Sequence, residues 1–337
     1  MNLRGEICVN AVVTCTNRKS KVVEDCLRLR NFSGKAIKDV LPRWVERLEE
    51  KAVDRYPADS LYQGEHWSVA KTIPSIAQKG GFRVRLWVLS AGYGLVRIGS
   101  DLRPYSATFS TGSPDSLTRF GPGSTAEWWD RLCRVRELGG SKIRSLEELA
   151  AKHKDDPLLI AASEPYLIAI KNDLARATPR LASADLLSVV SAGLRTRPGA
   201  NGSFLPCDSR FQVYFAEEAP KQGSLIGDNP SLEGGGSKQA LNARILQLIL
   251  KKYLKKGGPT QLKSPALAEW LRTLMEPLPF PKLEKRRTHT DTQVKEWIME
   301  NLDTGSRSAL HRRFRDEGRA CEQTRFKKLH EEVTNQV

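Results

Sequence analysis

The chain has 337 residues and a mass of 37.7 kDa, enough for two domains. Hydrophobic residues make up 39% and charged residues 28%, which permits a packed core and argues against wholesale disorder. Fifty-four Lys and Arg against 39 Asp and Glu give a net charge of +15, the electrostatic footprint of a protein that meets a polyanion. Apolar runs stop at about six residues, far short of the roughly 20 that a membrane span needs. The first twenty residues lack the apolar core and small-residue cleavage site of a signal peptide, so a cytoplasmic protein is expected. Six cysteines without CxxC pairs or neighbouring His fit reduced thiols, with no zinc site and no disulfide framework.

In chain order, ICVNAVVTCT (7–16) predicts a buried strand that runs into Asn17-Arg18-Lys19-Ser20-Lys21. Residues 36–51 predict a helix broken at Pro42, and 66–79 a second helix. RVRLWVLS (83–90) predicts a strand emptying into Ala91-Gly92-Tyr93-Gly94, the pattern of a parallel sheet whose ligands lie at the carboxyl ends of the strands. The design repeats further on, with a strand at 156–163, a helix at 164–177 and a strand at 185–193. VVSAGLR (189–195) echoes VLSAGYG (88–94), which suggests two related strand-to-turn units in one sheet. Residues 205–215 predict a short strand, and 227–237 a Gly-rich loop.

From 238 the pattern becomes helical, with apolar and basic faces through 256 and a stop at Gly257-Gly258-Pro259. Three short helices follow from about 288, the first capped by Thr290 or Asp291 and the second by Ser306 or Ser308. Residues 251–337 hold 19 Lys and Arg against 12 Asp and Glu, in runs such as KKYLKK (251–256), KLEKRR (282–287) and HRRFRDEGR (311–319). The expected architecture is an α/β domain over 1–245 and a helical, basic DNA-binding module over 246–337, whose three helices from about 288 suit a helix-turn-helix or winged-helix unit.

Phosphate-loop, GxGxxG, GxSxG and HExxH motifs are absent from the sequence, which argues against an ATPase, a Rossmann dehydrogenase or a serine hydrolase. Four polar segments instead fall at strand ends or in the loops after them. Thr14-Cys15-Thr16-Asn17-Arg18-Lys19 sets a thiol beside two cations, which favour a reactive thiolate. LYQGEHW (61–67) offers Glu65 and His66 between aromatics. Ser90, Gly92, Tyr93 and Gly94 let backbone approach a ligand, and Tyr105 adds an aromatic ring within PYSATF (104–109). Together they suit a pocket for a planar nucleobase.

The strand followed by Cys-Thr-Asn-Arg-Lys, then LYQGEHW, LWVLSAGYGLV and PYSATFS, resembles the YaaA-like superfamily, and within it the DpdC branch. That branch belongs to the bacterial Dpd restriction-modification system, which installs 7-deazaguanines in DNA. The similarity is clearest over 7–110 and extends to about 245. It implies a mixed or mostly parallel sheet flanked by helices. The implied activity is metal-free and cofactor-free hydration of 7-cyano-7-deazaguanine (preQ0), already in double-stranded DNA, to the 7-amido base (ADG), with other Dpd proteins as partners.

Under that resemblance Cys15 is a nucleophile supported by Arg18 or Lys19, Glu65 or His66 moves protons, and Tyr93 with Tyr105 holds the base. Thr16, Asn17, Ser90, Gly92 and Gly94 complete the substrate site. A competing mechanism has Glu65 activate water and leaves Cys15 structural. The nitrile is reached either in the major groove or after base flipping. Arg312, Arg313, Arg315, Lys327 and Lys328 are the expected phosphate contacts. The alternative functions are a non-enzymatic DNA- or nucleotide-binding protein and a base-releasing glycosylase or lyase.

Overall fold

The computed structural model describes residues 8–50, 54–79, 83–136, 138–193, 203–218, 237–253, 262–281 and 287–335. The chain divides into compact units at 1–280 and 281–337, later than the expected boundary near 245. The loop expected at 227–236, the Gly257-Gly258-Pro259 stop and the basic run from 282 to 286 lie outside the described residues.

The first unit is α/β, built on a five-stranded sheet. Its strands are β1 (Cys8–Thr14), β2 (Arg83–Ser90), β3 (Gly94–Arg97), β4 (Leu158–Ala161) and β5 (Leu187–Val190), in the spatial order β3-β2-β1-β4-β5. β1 is parallel to β2 on one side and to β4 on the other; β5 is parallel to β4, and β3 alone is antiparallel, on β2. All seven residues of β1 are buried, as a central parallel strand covered on both faces requires. The chain leaves β1 toward β2 and returns to lay β4 on β1's opposite side. The crevice between the carboxyl ends of β1 and β4 is thus the topological switch point, where open α/β sheets hold ligands.

Among the helices are α1 (Ile37–Glu49), α2 (Glu65–Ala70), α3 (Ile73–Lys79), α4 (Ser124–Cys133), α5 (Leu146–Lys152), α6 (Glu164–Ala177), α7 (Arg210–Glu218), α8 (Lys238–Leu248) and α9 (Ser264–Met275). α1 runs through Pro42 unbroken. Pro42 lies on the exposed face, while Ile37, Val40, Leu41, Trp44 and Leu48 bury the other, and that burial outweighs one missing hydrogen bond. The helix expected at 66–79 is two, separated at Lys71-Thr72, with Pro74 in the first turn of α3 where its missing N–H costs nothing. Of the strand expected at 205–215, Leu205 bonds to Val189 of β5 at 2.9 Å, but 210–215 belong to α7, started by Asp208, whose carboxylate accepts from the Arg210 amide at 2.8 Å. In α8, Ala240, Leu241, Asn242, Ala243, Arg244, Ile245, Leu246 and Leu248 are buried and Lys238 is exposed, with Lys251 exposed just beyond the helix; Lys255 and Lys256 lie outside the described residues.

The second unit holds α10 (Asp291–Asn301), α11 (Arg307–Asp316) and α12 (Gln323–Thr334). Thr290 caps the first with a reciprocal bond from Gln293, and Ser306 caps the second. Val294, Trp297, Ile298, Leu310, Phe314, Phe326, Leu329 and Val333 form its own core, and Arg287–Thr288 pairs with Arg319–Ala320 in parallel. Residues 281–337 carry 13 Lys and Arg and 10 Asp and Glu, so only three of the fifteen surplus charges fall in this unit. Among the described residues no helix is long and apolar enough to cross a membrane.

Candidate functional site

Cys15 directly follows β1, and its amide donates to Leu89 of β2 at 3.0 Å, so the sulfur is fixed at the carboxyl edge of the sheet. The next five residues form a loop clipped to the segment before α2. The Ser20 amide donates to Leu61 at 2.8 Å and the Gln63 amide donates to Arg18 at 3.0 Å. Inside the loop the Thr16 hydroxyl donates to the Arg18 carbonyl at 3.0 Å. These bonds turn Lys19 inward. Its ammonium donates to the carbonyls of Thr16 (2.7 Å) and Asn17 (3.2 Å) and lies 4.4 Å from the ring centre of Tyr105 and 5.1 Å from that of Tyr62. Burial lowers the Lys19 ammonium to about 8, against the opposing pull of Cys15.

Tyr166, in the first turn of α6 beyond β4, faces Cys15 across the switch-point crevice, its hydroxyl 3.2 Å from the sulfur. On the other side the Tyr105 hydroxyl lies 3.5 Å from the sulfur and 2.7 Å from the Ser90 hydroxyl. Tyr62 closes the chain at 3.0 Å from the Tyr105 hydroxyl, and Ser90 accepts from the Tyr93 amide at 3.0 Å. Burial, reinforced by Cys15, pushes the phenols of Tyr62, Tyr105 and Tyr166 well above their ordinary range. They therefore stay protonated at neutral pH and are hydrogen-bond donors. Two phenolic hydroxyls thus flank a single thiol, and the Lys19 ammonium sits over the ring of one of those phenols.

The position of Tyr105 follows from Gly92. A Cβ on that glycine would lie 2.6 Å from two ring carbons of Tyr105, so a hydrogen is all the ring allows there. The Ala91-Gly92 peptides are held from the other side by indole N–H groups. Trp44 donates to Gly92 at 3.0 Å and Trp128 to Ala91 at 2.8 Å. Gly94 has φ +77°, and the Tyr93 carbonyl before it accepts from the buried Arg144 guanidinium.

Several candidate residues stand elsewhere than a base-binding pocket demands. Tyr93 is wholly buried, its hydroxyl accepting from the Arg103 amide at 2.8 Å, and burial pushes it up to about 12. Tyr105 is equally buried, so it offers the site its hydroxyl and not its face. Glu65 accepts from the Ser237 amide at 3.0 Å and from Arg244 at 2.9 Å, which makes it the tie for the start of α8. His66 sets Nδ1 3.1 Å from the Gln239 carbonyl and Nε2 3.0 Å from the Thr14 carbonyl and 3.2 Å from its hydroxyl. Burial lowers its pKa and keeps the ring neutral. Both side chains pin α8 onto the end of β1, one residue from the thiol. Arg18 and Asn17 are exposed, and Lys19 is the cation seated over the Tyr62 and Tyr105 rings.

The repeated Ser-Ala-Gly marks equivalent places. The register sets Thr14 opposite Leu89 and Ala161 opposite Val190, so Ser191, just after β5, stands beside Ala162 as Ser90, the last residue of β2, stands beside Cys15. Ser90 is bonded into the network, whereas the buried Ser191 hydroxyl has no partner among the described residues. In the second unit Arg313 pairs with Glu317, Lys327 with Glu331 and Lys328 with Glu332, while exposed Arg312 forms no ion pair among the described residues. Arg315 is exposed and engaged in an interaction.

Sequence reasoning missed Tyr166, which reads as one apolar residue of a helix, and did not assign Tyr62 a role. The available signal for Tyr166 was its place just past the end of β4, at the edge where a parallel sheet binds ligands. Among the described residues no group of three or more His, Cys, Asp or Glu is placed to hold a metal ion. The chain matches no family model and no curated protein.

Proposed function

We propose that the first unit is a thiol-dependent hydratase that adds water to the nitrile of 7-cyano-7-deazaguanine in DNA, giving the 7-amide. The observation that supports it is the placement of the Tyr105 and Tyr166 hydroxyls beside Cys15 at the switch point, with the Lys19 ammonium over the Tyr105 ring. A nitrile needs a nucleophile at carbon and an acid at nitrogen, and this arrangement supplies both without a metal. The choice of base rests on the resemblance to the DpdC branch of the YaaA-like superfamily, and the choice of DNA on that resemblance together with the net charge of +15.

In the proposed sequence the Cys15 thiolate adds to the nitrile carbon while the nitrogen takes the Lys19 proton, leaving a thioimidate. Water then adds across the C=N bond, its oxygen on carbon and its hydrogen on nitrogen. The tetrahedral carbon expels the Cys15 thiolate, and the hydroxyl proton returns to Lys19. One water is consumed, and thiolate and ammonium are regenerated. Tyr105 and Tyr166 donate to the sulfur whenever it is anionic.

The test is mass spectrometry of nucleosides from preQ0-containing DNA incubated with the protein. A gain of one water that is abolished by Cys15→Ala and retained by Glu65→Gln supports this mechanism. Turnover by Cys15→Ala moves the nucleophile to water. An unchanged nitrile on DNA that still binds in a salt-sensitive way replaces the hydratase with a binding protein.

A further inference from the structure

We infer that the nitrile reaches Cys15 on a nucleotide extruded from the helix, with Arg18 taking a phosphate beside it. This rests on the hydratase reading and asks how a base in duplex DNA meets this sulfur.

A 7-substituent on a stacked deazaguanine points into the major groove, which is about 12 Å wide and 8.5 Å deep. To react there, the protein must bring its sulfur into that groove. Cys15 directly follows the middle strand of five, with two strands on each side. At about 4.8 Å per strand the sheet edge that carries it is about 19 Å long. β1 is buried over its whole length, so packed elements cover both faces and thicken the layer beyond the roughly 10–12 Å diameter of a helix that the groove admits. The sulfur also lies beneath the surface. Cys15 is 6% exposed and Tyr105 0%, and the loop from Thr16 to Ser20 is clipped beside them. A blunt edge with a recessed thiol cannot probe a groove, so the base must come to the thiol.

Arg18 supplies the second half of the inference. Its carbonyl is fixed by the Gln63 amide, so the loop holds it three residues from the nucleophile. Its side chain is exposed and makes no ion pair or hydrogen bond among the described residues. Its neighbour Lys19 is instead committed to the interior. An exposed, planar cation rooted in a braced loop three residues from the thiol suits a phosphate oxygen pair. The loop thus turns one cation toward the interior and the other toward the backbone of the nucleotide being delivered.

The experiment uses the full chain and one oligonucleotide carrying a single preQ0, presented as a single strand, as a duplex opposite cytosine, and as a duplex opposite an abasic site. Amide formation at limiting protein is expected to be at least about tenfold faster on the single strand and on the abasic duplex, because pairing and stacking must otherwise be broken first. Equal rates on all three, or fastest reaction on the matched duplex, overturn the inference while leaving the hydratase standing. No amide from any of them, nor from the free base, removes the hydratase and the inference together.

A second readout does not depend on turnover. With Cys15→Ala bound to the matched duplex, 2-aminopurine next to the target brightens if the base leaves the stack and stays dark if it does not. Arg18→Ala is expected to reduce the salt slope of binding by about one and to slow the DNA reaction. An unchanged slope overturns the assignment of Arg18.

Discussion

Lys19 offers the most direct test of the site, because its charge is lost within an accessible pH range. Burial brings its ammonium from 10.5 down to about 8. If that ammonium protonates the nitrile nitrogen, kcat/KM declines above pH 8 by about tenfold per pH unit, since about one molecule in ten retains the charge one unit above the pKa. Unfolding is not the cause of such a decline. A lysine whose folded pKa is depressed makes the native state more stable as pH rises from about 8 toward 10.5, because the unfolded chain holds the proton longer. Loss of rate with retained fold is therefore the signature. The assay is initial-rate nucleoside mass spectrometry from about pH 6 to pH 10, with far-ultraviolet circular dichroism at each point. Lys19→Arg keeps a cation far above this range and is expected to abolish the basic limb while shifting the donor. Lys19→Met is expected to lower the rate throughout, with no limb near 8. A wild-type profile that is flat across this range, or a Lys19→Met variant that keeps both rate and limb, refutes the assignment.

Gly92→Ala drives a methyl into the Tyr105 ring and should cost about 1–3 kcal/mol by urea denaturation, with activity falling further than stability because the hydroxyl leaves the sulfur. Glu65→Ala strands the buried Arg244 and releases the start of α8, for an expected loss of about 3 kcal/mol. Glu65→Gln keeps an acceptor and should retain kcat within a few-fold, whereas loss of kcat with an intact fold would restore Glu65 to the chemistry. In the second unit Arg312→Ala should lower the salt slope of DNA binding by about one, while Lys328→Ala, already paired with Glu332, should change it less. Equal slopes for the two variants would place the phosphates elsewhere.

The sheet was legible because β1, β2, β4 and β5 are short apolar runs closed by polar or Gly-rich turns, the sequence form of a doubly covered parallel sheet. Cys15 and Lys19 were legible by adjacency to a strand end. Tyr166 was not, since 151 residues separate it from Cys15 and only the placement of β4 beside β1 brings them together. Tyr93 misled for a related reason: a tyrosine in a Gly-rich turn resembles a ligand platform, yet this hairpin folds back into the core, where Arg103 holds the hydroxyl. Glu65 and His66 form a catalytic-looking pair in sequence, and a helix beginning 172 residues later consumes both. Of the basic face expected over 238–256, Arg244 is turned inward and neutralised by Glu65, while Lys238 and Lys251 are exposed.

That last tie sets a timetable for biosynthesis. Glu65 waits for Arg244, 179 residues downstream, and His66 waits for Gln239. At roughly 5–20 residues per second a ribosome needs about 9–36 s to make that stretch. During this interval β1 and β2 can pair, but the end that carries Cys15 has no α8 to lean on, and a carboxylate meant for a buried guanidinium faces water. Completion of the edge around Cys15 is thus a late, long-range event, and slow translation or early termination before residue 248 leaves the nascent chain with that edge unfinished.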